Sequence, residues 1–308
     1  YETTELLAGT IPEDEPHGAQ VMARYRWFRE EYEKVTRSWQ DFGNPYRTQW
    51  FGMSVLRRAT ELEKRSELLD SLDDVIANTA TFLSLSPGWD RVWSNEQGPV
   101  LEDLQSLRRL CHQVDSSDAA ENGSIAERAK QERDWVRSRK QRLDDMTAGL
   151  EDGSLQPSAA LDELDEIASE TKTKASRLAR EAIDADTSSY ADERRRRYDD
   201  SVSSTDAAYA GYWYLGGGHG SYNPHSTIRL NPSSPAISAI SSSGSGVGAG
   251  GSFSSFTPVS DLVVGYSSAS SYTPSSSSGS GSSFSGSSFS GGYSGGGGFS
   301  GSGSSSSF

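Results

Sequence analysis

The chain has 308 residues, with 43 acidic against 29 basic side chains, a net charge of −14 and a pI near 4.8. That balance argues against a general role on nucleic acid, where Lys and Arg must displace counterions from phosphates. Charge is also unevenly placed: residues 1–205 carry 41 of the acidic and 28 of the basic residues, whereas 241–308 hold 30 Ser, 17 Gly and one charge, Asp261.

Residues 1–17 read as an acidic leader. The first helix has the clearest period. Val21, Tyr25, Phe28, Tyr32, Val35 and Trp39 fall at alternating steps of four and three, a stripe whose aromatic weight predicts a broad buried contact. Gly43 stops it, and Asn44-Pro45 supplies an N-cap and a first helical position. A second helix then runs to about Leu83 with Val55, Ala59, Leu62, Leu69, Leu72, Ile76 and Leu83 on its face, ended by Ser86-Pro87-Gly88. A short aromatic connection holding Trp89, Val92 and Trp93 leads to Gly98-Pro99, which reopens a helix lined by Val100, Leu104, Leu107, Cys111 and Val114.

Residues 115–123 read as a loop, and Ser124 with Glu127 fits a capping box. The next helix has Ile125, Ala129, Glu132, Val136, Arg139, Leu143, Met146 and Leu150 along its seam, two of them charged. Asp152-Gly153 breaks the chain, Pro157-Ser158 restarts it, and Leu161, Leu164, Ala168, Thr171, Ala175, Leu178 and Ala182 form another seam. The short connection predicts an antiparallel hairpin of coiled-coil type, close but weak because its seam residues are small or polar. It is expected to project from, or lean on, the first three helices and to be the more mobile part.

The fold class expected is mainly α: a helical bundle over 18–114, the antiparallel helical hairpin over 115–205, an aromatic strip over 206–240 and a disordered Ser/Gly-rich tail over 241–308. The strip could form short strands or dock on the helices; docking is preferred, because an isolated two-stranded hairpin is marginal in water. The tail has too few aliphatic side chains to offset the entropy of ordering it. Only Phe256 to Tyr266 has the apolar character for another local contact.

No catalytic, cofactor-binding or metal site is assigned. Gly246-Val-Gly-Ala-Gly-Gly251 matches GxGxxG without the strand, helix and downstream acid of a dinucleotide unit. His219 and His225 are too few for a closed metal site. The pairs Asp73-Asp74 and Asp144-Asp145 and the group Asp162, Glu163, Asp165 and Glu166 read as solvated helix faces. Cys111, the single cysteine, excludes an internal disulfide and a CxxC motif. It lies in an apolar stripe as a buried small hydrophobe, with His112 about 100° away on the helix. Arg194 to Arg197 are flanked by Asp192, Glu193, Asp199 and Asp200, so the run reads as a solvated helix end, with an anionic contact as the lesser reading. Asn122-Gly-Ser124 is a glycosylation sequon by pattern. In the tail, Phe284, Phe289, Tyr293, Phe299 and Phe308 stand between Ser/Gly spacers, a pattern for weak self-association or for an inert arm. No window approaches the roughly 20 apolar residues of a membrane span.

Trp39-Gln-Asp-Phe-Gly43, Leu83-Ser-Leu-Ser-Pro-Gly-Trp-Asp90, Gly98-Pro-Val-Leu-Glu-Asp-Leu104, Tyr212-Trp-Tyr214 and Gly220-Ser-Tyr-Asn-Pro224, with the Gly/Ser terminus, resemble an uncharacterised actinobacterial family related to the TPM-domain membrane proteins. The resemblance implies that a signal peptide, an extracytoplasmic α/β TPM domain and a transmembrane segment precede such a helical region. Any phosphatase-like or metal chemistry would belong to that upstream part, and no catalytic residue carries over. The expectation is therefore a non-enzymatic helical scaffold or interaction region of a membrane-associated bacterial protein, with a flexible Ser/Gly arm. It would bind a protein partner or itself, bind no nucleic acid, and reach the membrane only through an upstream segment. The alternative is an accessory part of a TPM-type phosphatase-like hydrolase.

Overall fold

A computed structural model describes residues 9–43, 52–203, 207–208, 225–229 and 255–273. All but Thr273 belong to one compact unit, Tyr1–Tyr272; the second unit is Thr273–Phe308. The described residues are mainly helical: α1 (Gly18–Phe42), α2 (Met53–Leu83), α3 (Trp89–Asp115), α4 (Gly123–Glu151), α5 (Pro157–Asp184), α6 (Ala191–Ser203) and α7 (Val259–Ser270). A 3-10 turn at Asp118–Glu121 precedes α4. Two-residue strands β1 (Ala207–Ala208) and β2 (Ser255–Phe256) pair antiparallel. Among the described residues no helix is long and apolar enough to cross a membrane.

Two helix boundaries differ from the sequence expectation. Trp89 to Trp93 are not a connection: α3 starts at Trp89 and carries Pro99 inside it. Gly88, at φ 97°, makes the left-handed turn that allows the early start. An internal proline costs about 3 kcal/mol, which burial on the N-terminal side of Pro99 offsets. Val92, Trp93 and Glu96 are buried, the Trp93 ring stacks on Phe82 at 5.8 Å, and its indole N–H donates to Thr147 Oγ1 at 2.9 Å. The N-cap of α4 is Asn122 rather than Ser124; its Oδ1 accepts the Ser124 N–H at 3.2 Å. The expected Asn44-Pro45 cap lies outside the described residues, and α2 is described from Met53.

The core also divides differently. Leu104, Leu107 and Leu110 of α3 share one cluster with Leu143 and Met146 of α4 and Leu161, Leu164 and Leu178 of α5. The α4–α5 pair is thus inside the main core and does not project. Its charged seam positions are met in register: Arg142 grips Glu163 with two bonds of 2.6 and 2.7 Å, Arg139 lies 3.6 Å from Glu170, Lys174 2.9 Å from Glu132 and Arg128 2.7 Å from Glu181. Residue numbers fall on α4 as they rise on α5, which is antiparallel pairing. The second, separate cluster belongs to α1 and α2: Tyr25, Phe28, Val35, Leu68, Leu69, Leu72, Val75 and Ile76.

The tail expected to be disordered from Ser241 contains α7. Val259, Leu262, Val263, Tyr266 and Ala269 all join the main core, and Gly265 lets α7 approach α6 so closely that a Cβ there would meet Ser201 Oγ at 3.0 Å. Residues 225–229 lie against the helices: Ile228 is fully buried, Asn78 donates to the Thr227 carbonyl at 3.4 Å, and Arg229 pairs with Glu96 and Asp165. The strip's aromatic residues, Tyr209 to Tyr222, lie outside the described residues, as do GxGxxG at 246–251, His219 and the tail phenylalanines.

Candidate functional site

The α1 stripe is longer than the apolar surface α2 offers it. Val21, Tyr25, Phe28 and Val35 are buried, but Tyr32 and Trp39 remain 39% and 40% exposed. The reason lies on the facing helix, where Leu62, Ser66, Leu69, Asp73 and Ile76 follow the same four-three spacing and two of the five are polar. Ser66 is too small to cover an indole. It orients one instead: the Trp39 Nε1–H donates to Ser66 Oγ at 2.9 Å, and Ser66 in turn donates to the Leu62 carbonyl at 2.9 Å. The Trp39 ring meets Phe42 edge-on at 5.8 Å, and Tyr32 sits 6.3 Å from Phe28.

The result is a groove of about 350 Å³ between the two helices, floored by Phe28, Val35 and Leu69, walled by Tyr32 and Trp39, and bordered by Asp70 and Asp73. Arg65 and Lys34 both pair with Glu31 beside it. Four of the six large apolar side chains exposed among the described residues, Tyr32, Trp39, Met53 and Leu56, lie on this hairpin.

The residues singled out in the sequence are mostly engaged in holding the bundle. Arg194 donates to Asp186 Oδ2 at 2.7 Å and to the Tyr272 carbonyl at 3.1 and 3.2 Å. Arg195 donates to the carbonyls of Asp184 and Asp186 and to Asp192, covering the C-terminus of α5. Arg196 and Arg197 share Glu193, and the Arg197 guanidinium lies 3.9 Å over the Tyr272 ring. The run is thus less a solvated helix end than a clamp joining α5, α6 and the end of α7. Helix C-termini favour such cations.

The acidic pairs separate in the same way. Asp162 meets His17 at 3.1 Å, Glu163 holds Arg142 and Asp165 holds Arg229, while Asp144 and Asp145 are exposed. The two Arg142 bonds hold the Glu163 carboxyl below its usual range. Cys111 is fully buried in the core and burial pushes its thiol up to about 12, too high for thiolate chemistry at neutral pH. His112 and His225 are exposed, and among the described residues no cluster of three His, Cys, Asp or Glu could hold a metal ion.

Two features had no sequence signal. Asp103 on α3 makes a backbone hydrogen bond with Val259 at the start of α7, and desolvation, followed by repulsion from Glu102, raises its carboxyl to about 7. A cavity of about 730 Å³ opens where α3, α5 and α7 end, lined by Gln113, Asp118, Asp186, Arg194 and Tyr266 among others. Its Tyr266 hydroxyl is 3.0 Å from Ser117 Oγ, and Arg194 and Asp186 satisfy each other across it. Both features depend on α7, whose position only folding decides.

A family model for a domain of unknown function, DUF5129, matches residues 1–164. No curated protein matches the chain, and no solved structure does. The matched segment holds α1 to α4 and the first turns of α5, so the rest of α5 with α6 and α7 completes its core from outside the match. With more than half of its residues inside that match, the chain belongs to the DUF5129 family.

Proposed function

We propose that this chain is a non-enzymatic helical interaction scaffold, with the α1–α2 hairpin as its contact surface. The observation that carries the reading is the distribution of exposed apolar side chains. Among α3 to α7 only Val264 leaves a large apolar side chain exposed, whereas α1 and α2 leave Tyr32, Trp39, Met53 and Leu56 open to solvent. Exposed aromatic groups gathered on one element are characteristic of protein contacts. The family resemblance of the sequence supports attachment to a membrane through an upstream segment, with the bundle as the membrane-proximal body and the Ser/Gly stretch as its arm.

The test is site-specific photo-crosslinking in cells that make the full-length protein. A benzophenone side chain at Leu56, on the hairpin, should give an adduct of defined mass; the same group at Thr173, exposed on α5, should not. Equal adducts from both positions, or none from Leu56, would refute the assignment.

A further inference from the structure

We infer that the cavity where α3, α5 and α7 end binds a neutral polyhydroxylated ligand, a short oligosaccharide. The inference goes beyond the scaffold reading and rests on a different part of the molecule. Three observations lead to it.

The first is that polar side chains on the lining have no partner in the protein. Among the described residues, the side chains of Asp118, Glu121, Thr187 and Ser267 make no hydrogen bond or ion pair. Gln113 lines the cavity as well, and its Oε1 is buried without a donor, a state that folded proteins rarely leave standing. Together these groups offer carboxylates, an amide and hydroxyls. A sugar hydroxyl suits all of them, because it both donates and accepts. Its bonds to the two carboxylates are the stronger ones.

The second is electrostatic. The C-cap residues Ser116 of α3, Ala185 of α5 and Ser271 of α7 all line the cavity, so the partly negative carbonyl ends of three helices meet there beside Asp118 and Glu121. An anion is repelled by that field. The place of a cation is already taken: Arg194 stands on the wall, bonded to Asp186 at 2.7 Å and to the Tyr272 carbonyl at 3.1 Å. Among the described residues no three His, Cys, Asp or Glu could share a metal ion. A neutral guest rich in donors fits what is left.

The third is size and floor. The volume of about 730 Å³ lies within the roughly 300 to 1,000 Å³ of small-molecule sites. Ala119, Ala182 and Ile183 supply an apolar floor against which the C–H face of a sugar ring packs. The Tyr266 ring is buried and its hydroxyl is engaged by Ser117, so that ring is not available for stacking. Hydrogen bonds exchanged for those of water therefore carry the binding, and the affinity is modest.

The experiment is saturation-transfer difference NMR on the full chain, with cellobiose, maltotriose, chitobiose and trehalose as neutral probes and putrescine and inorganic phosphate as charged competitors. At least one saccharide should give a saturable signal at millimolar concentration that neither competitor displaces. Ser267→Phe, at an exposed position of the lining, should abolish that signal by filling the cavity. Asp118→Asn, also exposed, should weaken binding by about three- to tenfold, the loss of charge assistance to one hydrogen bond. Thr173→Phe, exposed on α5, should leave it unchanged, and circular dichroism melts show that each variant is folded. If Ser267→Phe does not fold, Asp118→Asn decides. No saturable signal from any of the saccharides would overturn the inference. So would a signal that survives Ser267→Phe, an unchanged affinity in Asp118→Asn, or displacement by putrescine or phosphate, which would assign the cavity to a charged guest. The crosslinking at Leu56 is independent of these outcomes.

Discussion

Replacing Arg229 by methionine should destabilise the protein by about 3 to 5 kcal/mol, the usual cost of stranding a buried charge. The Arg229 side chain is 2% exposed and that of its partner Glu96 is 0% exposed, with the Nε to Oε2 distance at 3.1 Å; a second bond of 2.8 Å reaches Asp165. Without the guanidinium, Glu96 keeps its bond from Ser226, but both carboxylates lose the buried cation that bridges them. Against a typical domain stability of roughly 5 to 15 kcal/mol, the loss is large. At about 2 to 4 °C per kcal/mol for a unit of this size, the midpoint of thermal unfolding should fall by roughly 10 °C. The assay is urea unfolding followed by circular dichroism, with linear extrapolation to water. Glu96→Leu combined with Arg229→Met should recover part of the loss, because an apolar pair of similar volume removes the stranded charge. A single variant within 1 kcal/mol of the parent would refute the reasoning, and so would a double variant no more stable than the single.

Asp103 gives the protein a pH dependence of defined sign. Its carboxyl binds a proton more tightly when folded, about 7 against the usual 3.8, so this group's contribution is fully present below about pH 4 and is lost as pH rises through 7. The difference sets an upper bound of about 4 kcal/mol. Asp103→Asn should flatten the stability profile between pH 4 and 7 and exceed the parent at pH 8; an unchanged profile would show that Asp103 stays solvated. The Cys111 thiol, buried and raised to about 12, should resist iodoacetamide at pH 8 until urea unfolds the chain, and rapid labelling of the folded protein would contradict its place in the core. Arg194→Ala removes the link from Asp186 to the Tyr272 carbonyl. It should raise amide hydrogen exchange in α7 before that in α3, while equal changes in both would show that α7 is held by its apolar face alone.

Much of the fold was legible because helical periodicity is local. The helical span of α1, the stripes of α4 and α5, the break at Asp152-Gly153 and the restart at Pro157 each rest on a few neighbouring residues, and the structure places them as read. Proline at Pro99 misled for a reason that is not local: the stacking of Trp93 on Phe82, from another helix, holds the turns before it. In the tail the apolar run Phe256 to Tyr266 was legible as a local contact, but that Val259, Leu262, Val263 and Tyr266 form a helix packed into the main core depends on the apolar surface the other helices supply.

The candidate groove shows the same division. The α1 sequence determined that an aromatic stripe would exist, since spacing fixes which side chains share a helix face. Whether that stripe would be covered was decided by the register of α2 against it, which sets Ser66 beside Trp39 and Asp73 within the groove border. Likewise the arginine run was visible as charge, but its role as a clamp depended on three helix ends meeting at Asp186 and Tyr272. Sequence spacing determines what one element presents; only the packing of elements distant along the chain decides what each presented group meets, because those contacts come from pairings that no local pattern encodes.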